Sequence, residues 1–118
     1  MLPLATSFRV WAYAAPVDLR QSVDDLAALA RKRLHATDVG ACFLFVNALR
    51  NRARVLHYDG TGWGLYAKRL DEGRRFPALW DDDADPEKPG AALKLSWAEL
   101  QSFIRLTPAH KVAARRAA

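Results

Sequence analysis

Cys42-Phe43-Leu44-Phe45-Val46 is a near-continuous apolar run, and the chain after it doubles back repeatedly. The run holds two aromatics and is too short for an independent helix, so it reads as a central, well-buried strand. Asn47 to Arg52 is a polar turn, and Arg54 to Tyr58 is the return strand. Asp59-Gly60-Thr61-Gly62 is a strong turn signal, because glycine takes positive φ at low cost. Trp63 to Leu70 is a third strand and Asp71-Glu72-Gly73-Arg74 a third turn. Arg75-Phe76 then begins a short edge strand before Pro77. The stretch is a β-meander of three or four short strands.

Upstream, residues 8–13 alternate and are rich in β-formers, with Phe8, Val10 and Ala12 on one face. Asp18 reads as a helix N-cap, with Gln21 at the capping-box spacing. Leu19, Val23, Leu26, Ala27, Ala30 and Leu34 recur at steps of three and four. Acids stand near the start of this stretch, and Arg31, Lys32 and Arg33 near its end, as the helix dipole favours. The spacing predicts a long helix over about 18–35.

Downstream, residues 81–90 offer nothing larger than alanine to a core and read as a solvated, mobile acidic loop. Ala92 to Leu95 returns to the sheet. Ser96-Trp97-Ala98-Glu99 is a capping box, and Trp97, Leu100, Phe103 and Ile104 continue it as a short amphipathic helix to about 106. The expected fold is α+β: an antiparallel meander sheet with one long N-terminal and one short C-terminal helix packed on a face. At 118 residues the chain makes one domain, 1–106, followed by a basic, disordered tail over 107–118.

The longest apolar-rich stretch without charge, Val39 to Leu49, has 11 residues, whereas a membrane span needs about 18–20. No secretory signal is visible, and the single cysteine, Cys42, excludes an internal disulfide and a cysteine-rich zinc site. The reading is a cytoplasmic, reduced protein. Net charge is +5, but residues 81–90 alone carry five acids against one lysine. The rest of the chain is therefore strongly basic, which favours an anionic partner such as nucleic acid.

Little in the chain suggests catalysis. His35, His57 and His110 have no metal-ligand spacing to one another. His57 stands two residues from Asp59, a spacing that admits acid–base work, but a half-buried strand histidine is the plainer reading. Cys42 lies in the most apolar run, where burial makes a thiol inert. Asp59 with Asp71 or Glu72 is the carboxylate set to weigh for a metal-dependent nuclease, and the run Asp81-Asp82-Asp83 could bind a cation loosely, but Asp59 serves its Asp-Gly turn and the others a solvated loop. No catalytic residue, metal site or cofactor is expected.

Arg50, Arg52, Arg54, Lys68, Arg69, Arg74 and Arg75 are interleaved with Tyr58, Trp63, Tyr66 and Phe76. Arginine forks suit phosphates, and planar rings stack on bases, although the aromatics here read better as core under the helix. Arg52, Arg54 and Tyr58 share one side of their strand by period two. These seven basic residues are the candidate DNA-binding set.

The chain also resembles a known family. Pro16-Val-Asp-Leu-Arg20, Gly40-Ala-Cys-Phe-Leu-Phe-Val46, the basic segment Arg50 to Gly62, Leu65-Tyr-Ala-Lys-Arg-Leu-Asp-Glu-Gly73 and Leu95-Ser-Trp-Ala-Glu-Leu100 are similar, in order and spacing, to motifs of the insertion-sequence-66 accessory proteins, usually called TnpB. The similarity spans about residues 8–106, with Tyr58 in place of a usual tryptophan and an acidic insert after Pro77. It implies a bacterial mobile-element protein that assists transposition beside a separate transposase, with the catalytic carboxylates in that larger partner. Two roles follow as expectations: binding DNA at the element's ends through the basic hairpin, or docking on the transposase without DNA, through the exposed side of the helix from Ser96 or the loop 81–90.

Overall fold

Every residue of the central apolar run is buried, because both faces of its strand are covered. The computed structural model describes residues 9–34 and 39–106 together with a two-residue strand at 115–116. Its elements are β1 (Val10–Ala12), α1 (Val23–Arg33), β2 (Cys42–Val46), β3 (Arg52–Tyr58), β4 (Trp63–Arg69), β5 (Leu93–Leu95), α2 (Trp97–Arg105) and β6 (Arg115–Arg116). They form one sheet in the order β4-β3-β2-β1-β5-β6.

The meander β2-β3-β4 is antiparallel, as expected from its turns. The sheet as a whole is mixed, not antiparallel, because β1 pairs in parallel with β2. The reason is the connection: α1 carries the chain from β1 over the sheet and returns it in the same direction, which a hairpin cannot do. The fold class is therefore α+β, with a mixed sheet.

The helices lie on opposite faces rather than one. Period two splits β2 between them. Phe43 and Phe45 pack with Tyr13, Leu56, Leu26, Ala27 and Ala30 under α1. Cys42, Leu44 and Val46 pack with Val10, Ala53, Val55, Leu100, Phe103 and Ile104 under α2.

The first helix is shorter than its apolar spacing predicts. It runs over 11 residues, and its N-cap is Ser22, whose hydroxyl accepts from the Asp25 amide. Asp18 does not cap it. The Asp18 carboxylate instead takes the Arg20 amide at 2.9 Å and the Arg20 guanidinium at 3.0 and 2.9 Å, which turns the chain before the helix begins. Val17 and Leu19 are buried from that loop, so Leu19 reaches the core without being helical. His35, like Phe8 and His110, lies outside the described residues.

The second helix follows its sequence signature. Ser96 accepts from the Glu99 amide, and the Glu99 carboxylate accepts from the Ser96 amide. Residues 75–76 form no edge strand. Phe76 is instead fully buried and stacks on Phe103, with ring centroids 5.1 Å apart and planes 9° from parallel. The acidic segment is folded into two tight turns, closed by Ala84 on Asp81 and by Lys88 on Asp85. The Tyr13 hydroxyl donates to the Pro86 carbonyl at 2.7 Å and fixes the segment's middle. Of the basic tail, Arg115–Arg116 pairs with β5, and the remainder lies outside the described residues. No helix among the described residues is long and apolar enough to cross a membrane.

Candidate nucleic-acid interface

The β3–β4 register decides where the basic residues stand. The turn Asp59–Gly62 pins it. Asp59 Oδ1 accepts from the Thr61 amide, the Thr61 hydroxyl and the Gly62 amide, all within 2.9 Å. These donors hold its carboxyl below the usual range. Gly60 takes φ +97°, open to glycine and strained for other residues.

Counting outward from that turn, Arg52 pairs with Arg69 and Arg54 with Ala67. Directly opposed side chains on one face sit about 4.5–5.5 Å apart at Cβ, and like charges there repel. Arg52 and Arg69 are both exposed, on the α1 side, and no acid pairs with either among the described residues. The hairpin therefore keeps a destabilising pair of cations at one end of the sheet.

Further cations gather around this pair. Arg50 occupies the left-handed region at φ +55°, and its carbonyl accepts from the Phe76 amide at 2.6 Å. That bond draws the loop after β4 against the β2–β3 turn, with exposed Arg74 and Arg75 just before it. Asp71 and Glu72 open the same loop and are also exposed. Two members of the candidate set are engaged elsewhere. Arg54 Nη1 donates to the Gln21 carbonyl at 2.9 Å, bracing the entry to α1. Lys68 Nζ donates to the Ile104 carbonyl at 2.7 Å, on the α2 side, where a cation suits the end of that helix. Arg50, Arg52 and Arg69 thus stand at one end of the hairpin, Arg74 and Arg75 lie on the loop tied to the Arg50 carbonyl, Arg54 shares a face with Arg52, and Lys68 turns to the other face.

Two clefts meet at this end. One, of about 350 Å³, is lined by Arg52, Arg54 and Arg69 among others, and the second, of about 550 Å³, by Arg20, Asn47, Leu49, Asn51 and Arg52 among others. Leu19 and Arg52 line both. Arg20, which lines the second cleft, stands outside the seven-residue candidate set. Its clamp holds the Asp18 carboxyl at about 2. The Asp-x-Arg spacing was the available signal.

The aromatics belong mainly to the core. Trp63 lies against Phe43 and Tyr58, with the Arg31 guanidinium 5.3 Å from its centre, and Tyr66 packs on the cluster under α2. The carboxylates do not converge: β4, seven residues long, stands between Asp59 and Asp71, a separation of roughly 20 Å. Among the described residues no three of His, Cys, Asp and Glu come together in a group fit for a metal ion. His57 is buried, and its Nδ1 lies 3.6 Å from the Cys42 sulfur. Burial pushes the Cys42 thiol up to about 12. Native protein at pH 8 should therefore react with iodoacetamide roughly a thousandfold more slowly than unfolded protein in urea, a ratio read by mass spectrometry. Comparable rates would show Cys42 to be accessible.

The family model described as "IS66 Orf2 like protein" matches residues 8–112. The chain belongs to the IS66 Orf2-like family. The match covers both helices, the whole meander and the basic end just described. Membership in the IS66 Orf2-like family points to an accessory role in transposition. An "Uncharacterized protein y4hO" of Sinorhizobium fredii (strain NBRC 101917 / NGR234) is 32% identical over 105 residues, covering 88% of this chain and 84% of that protein. No solved structure matches the chain.

Proposed function

We propose that this protein assists transposition by holding the phosphate backbone of DNA at the arginine-rich end of the β3–β4 hairpin, with no catalysis of its own. The observation that carries the reading is Arg52 directly opposite Arg69, with no acid paired to either among the described residues. A fold selected for stability alone has no use for that pair, whereas a phosphate bridging two guanidinium groups removes the repulsion and gains charge-assisted hydrogen bonds. Arg50, Arg74 and Arg75 extend the same surface, and Arg20 and Arg54 flank it. The protein works in the cytoplasm beside the larger transposase that supplies the chemistry.

Fluorescence anisotropy tests this with the element's terminal inverted repeat and a scrambled duplex. With six or so phosphates contacted, affinity should fall by about three orders of magnitude between 50 and 200 mM salt. Preference for the repeat makes the protein a reader of the element's ends. Equal binding makes it a sequence-indifferent helper. No binding to either duplex defeats the proposal and leaves docking on the transposase, tested by nuclease-resistant co-purification.

A further inference from the structure

We propose that Leu49 is an apolar wedge that enters a base step of duplex DNA and bends it, an inference that rests on the DNA-contact reading above. Leu49 is 64% exposed at the tip of the β2–β3 turn, although it is a large apolar side chain. The turn that displays it is stiff. The Arg50 amide donates to the Asn47 carbonyl at 3.0 Å. Asn47 Oδ1 accepts from the Asn51 and Arg52 amides, each at 3.0 Å, and Asn47 Nδ2 donates to Asn51 Oδ1 at 2.7 Å. Two neighbouring segments brace it from outside, through the Leu70 amide on the Asn51 carbonyl and the Phe76 amide on the Arg50 carbonyl.

The surroundings identify the occupant. Leu49 shares its cleft with Arg52 and with Arg20, which is ion-paired to Asp18 of the same cleft, and Arg50 is its chain neighbour. A protein pocket for one leucine gains nothing from the Arg52 guanidinium beside it, unpaired among the described residues. DNA gains from both parts. Arginines hold the phosphates on either side while an apolar side chain replaces the stacking lost at an opened step. The left-handed backbone at Arg50 is strain kept at the same place. Pyrimidine–purine steps, being the easiest to open, are the preferred target.

The test uses the whole protein and a duplex of about 30 base pairs with a central TA step, donor and acceptor dyes at its ends, and a matched duplex with a central A-tract. Wild type should raise energy transfer on the TA duplex and much less on the A-tract. Leu49→Ala should bind within about threefold of wild type, with the same salt slope, yet lose most of the rise, and Leu49→Phe should keep it. If Leu49→Ala bends DNA as wild type does, or wild type binds without bending, the wedge is wrong and the DNA-contact reading survives. If wild type binds neither duplex by anisotropy, both are wrong. Because Leu49 is exposed, all three proteins should melt together.

Discussion

Replacing Arg52 by glutamate is expected to weaken DNA binding by roughly 10–100-fold or more while leaving the protein at least as stable as before. The two effects have opposite signs because one side chain serves one state and burdens the other. In the free protein Arg52 faces Arg69 across the strands. A glutamate there turns a repulsive cross-strand pair into an attractive one, worth about 0.2–1 kcal/mol, and raises Tm by a few degrees. On DNA, losing one charge-assisted contact costs about 1.5–3 kcal/mol, or roughly 10–100-fold, and the new carboxylate repels the phosphates further. The salt dependence should flatten by about one counterion or more. Anisotropy and thermal melting on the same preparation read both. Unchanged affinity would remove Arg52 from the interface. A fall in Tm would show that Arg52 has a structural duty that the cross-strand geometry does not reveal.

Phe76→Ala should be the most damaging single truncation near the site. The ring is fully buried and lies flat against Phe103 of α2. Deleting a buried phenylalanine costs about 3–5 kcal/mol, a large share of the roughly 5–15 kcal/mol that holds a domain together. Tm should drop by roughly 10–20 °C in a melt followed by circular dichroism. The same change slackens the loop that presents Arg74 and Arg75, since the Phe76 amide ties that loop to the Arg50 carbonyl. DNA affinity, measured well below the new melting point, should therefore weaken although no charge has been altered. A shift of only one or two degrees would mean that the ring contributes little to the core.

Much of this was legible in the residues. The run Cys42 to Val46 announces a strand covered on both faces, and Ser96 with Glu99 announces the start of α2, because both signals are local. Other features depend on distant partners. Asp18 looks like a cap until the Arg20 guanidinium claims its carboxylate. The parallel pairing of β1 with β2 is a property of the crossover, and no residue within either strand encodes it. Phe76 reads as an edge-strand residue because stacking on Phe103 spans 27 positions of chain. The opposition of Arg52 and Arg69 was within reach. Once Asp59 to Gly62 form the turn, equal steps back and forward from it arrive at those two arginines.

The order of strands carries a consequence for synthesis. β5 pairs with β1, so Leu95 sits beside Val10, and the middle of the sheet is closed by segments far apart in the chain. A ribosome delivers β1, α1 and the whole meander before β5 and α2 exist. Until they emerge, one edge of β1 is open and the face bearing Val10, Leu44, Val55 and Phe76 has no helix over it. A nascent chain or a fragment terminated in the acidic segment would thus display a bare strand edge and a wide apolar face, the two features that recruit chaperones and seed aggregation. The arginine-rich hairpin, though made early and from local contacts, acquires its stable setting only with the arrival of the last helix.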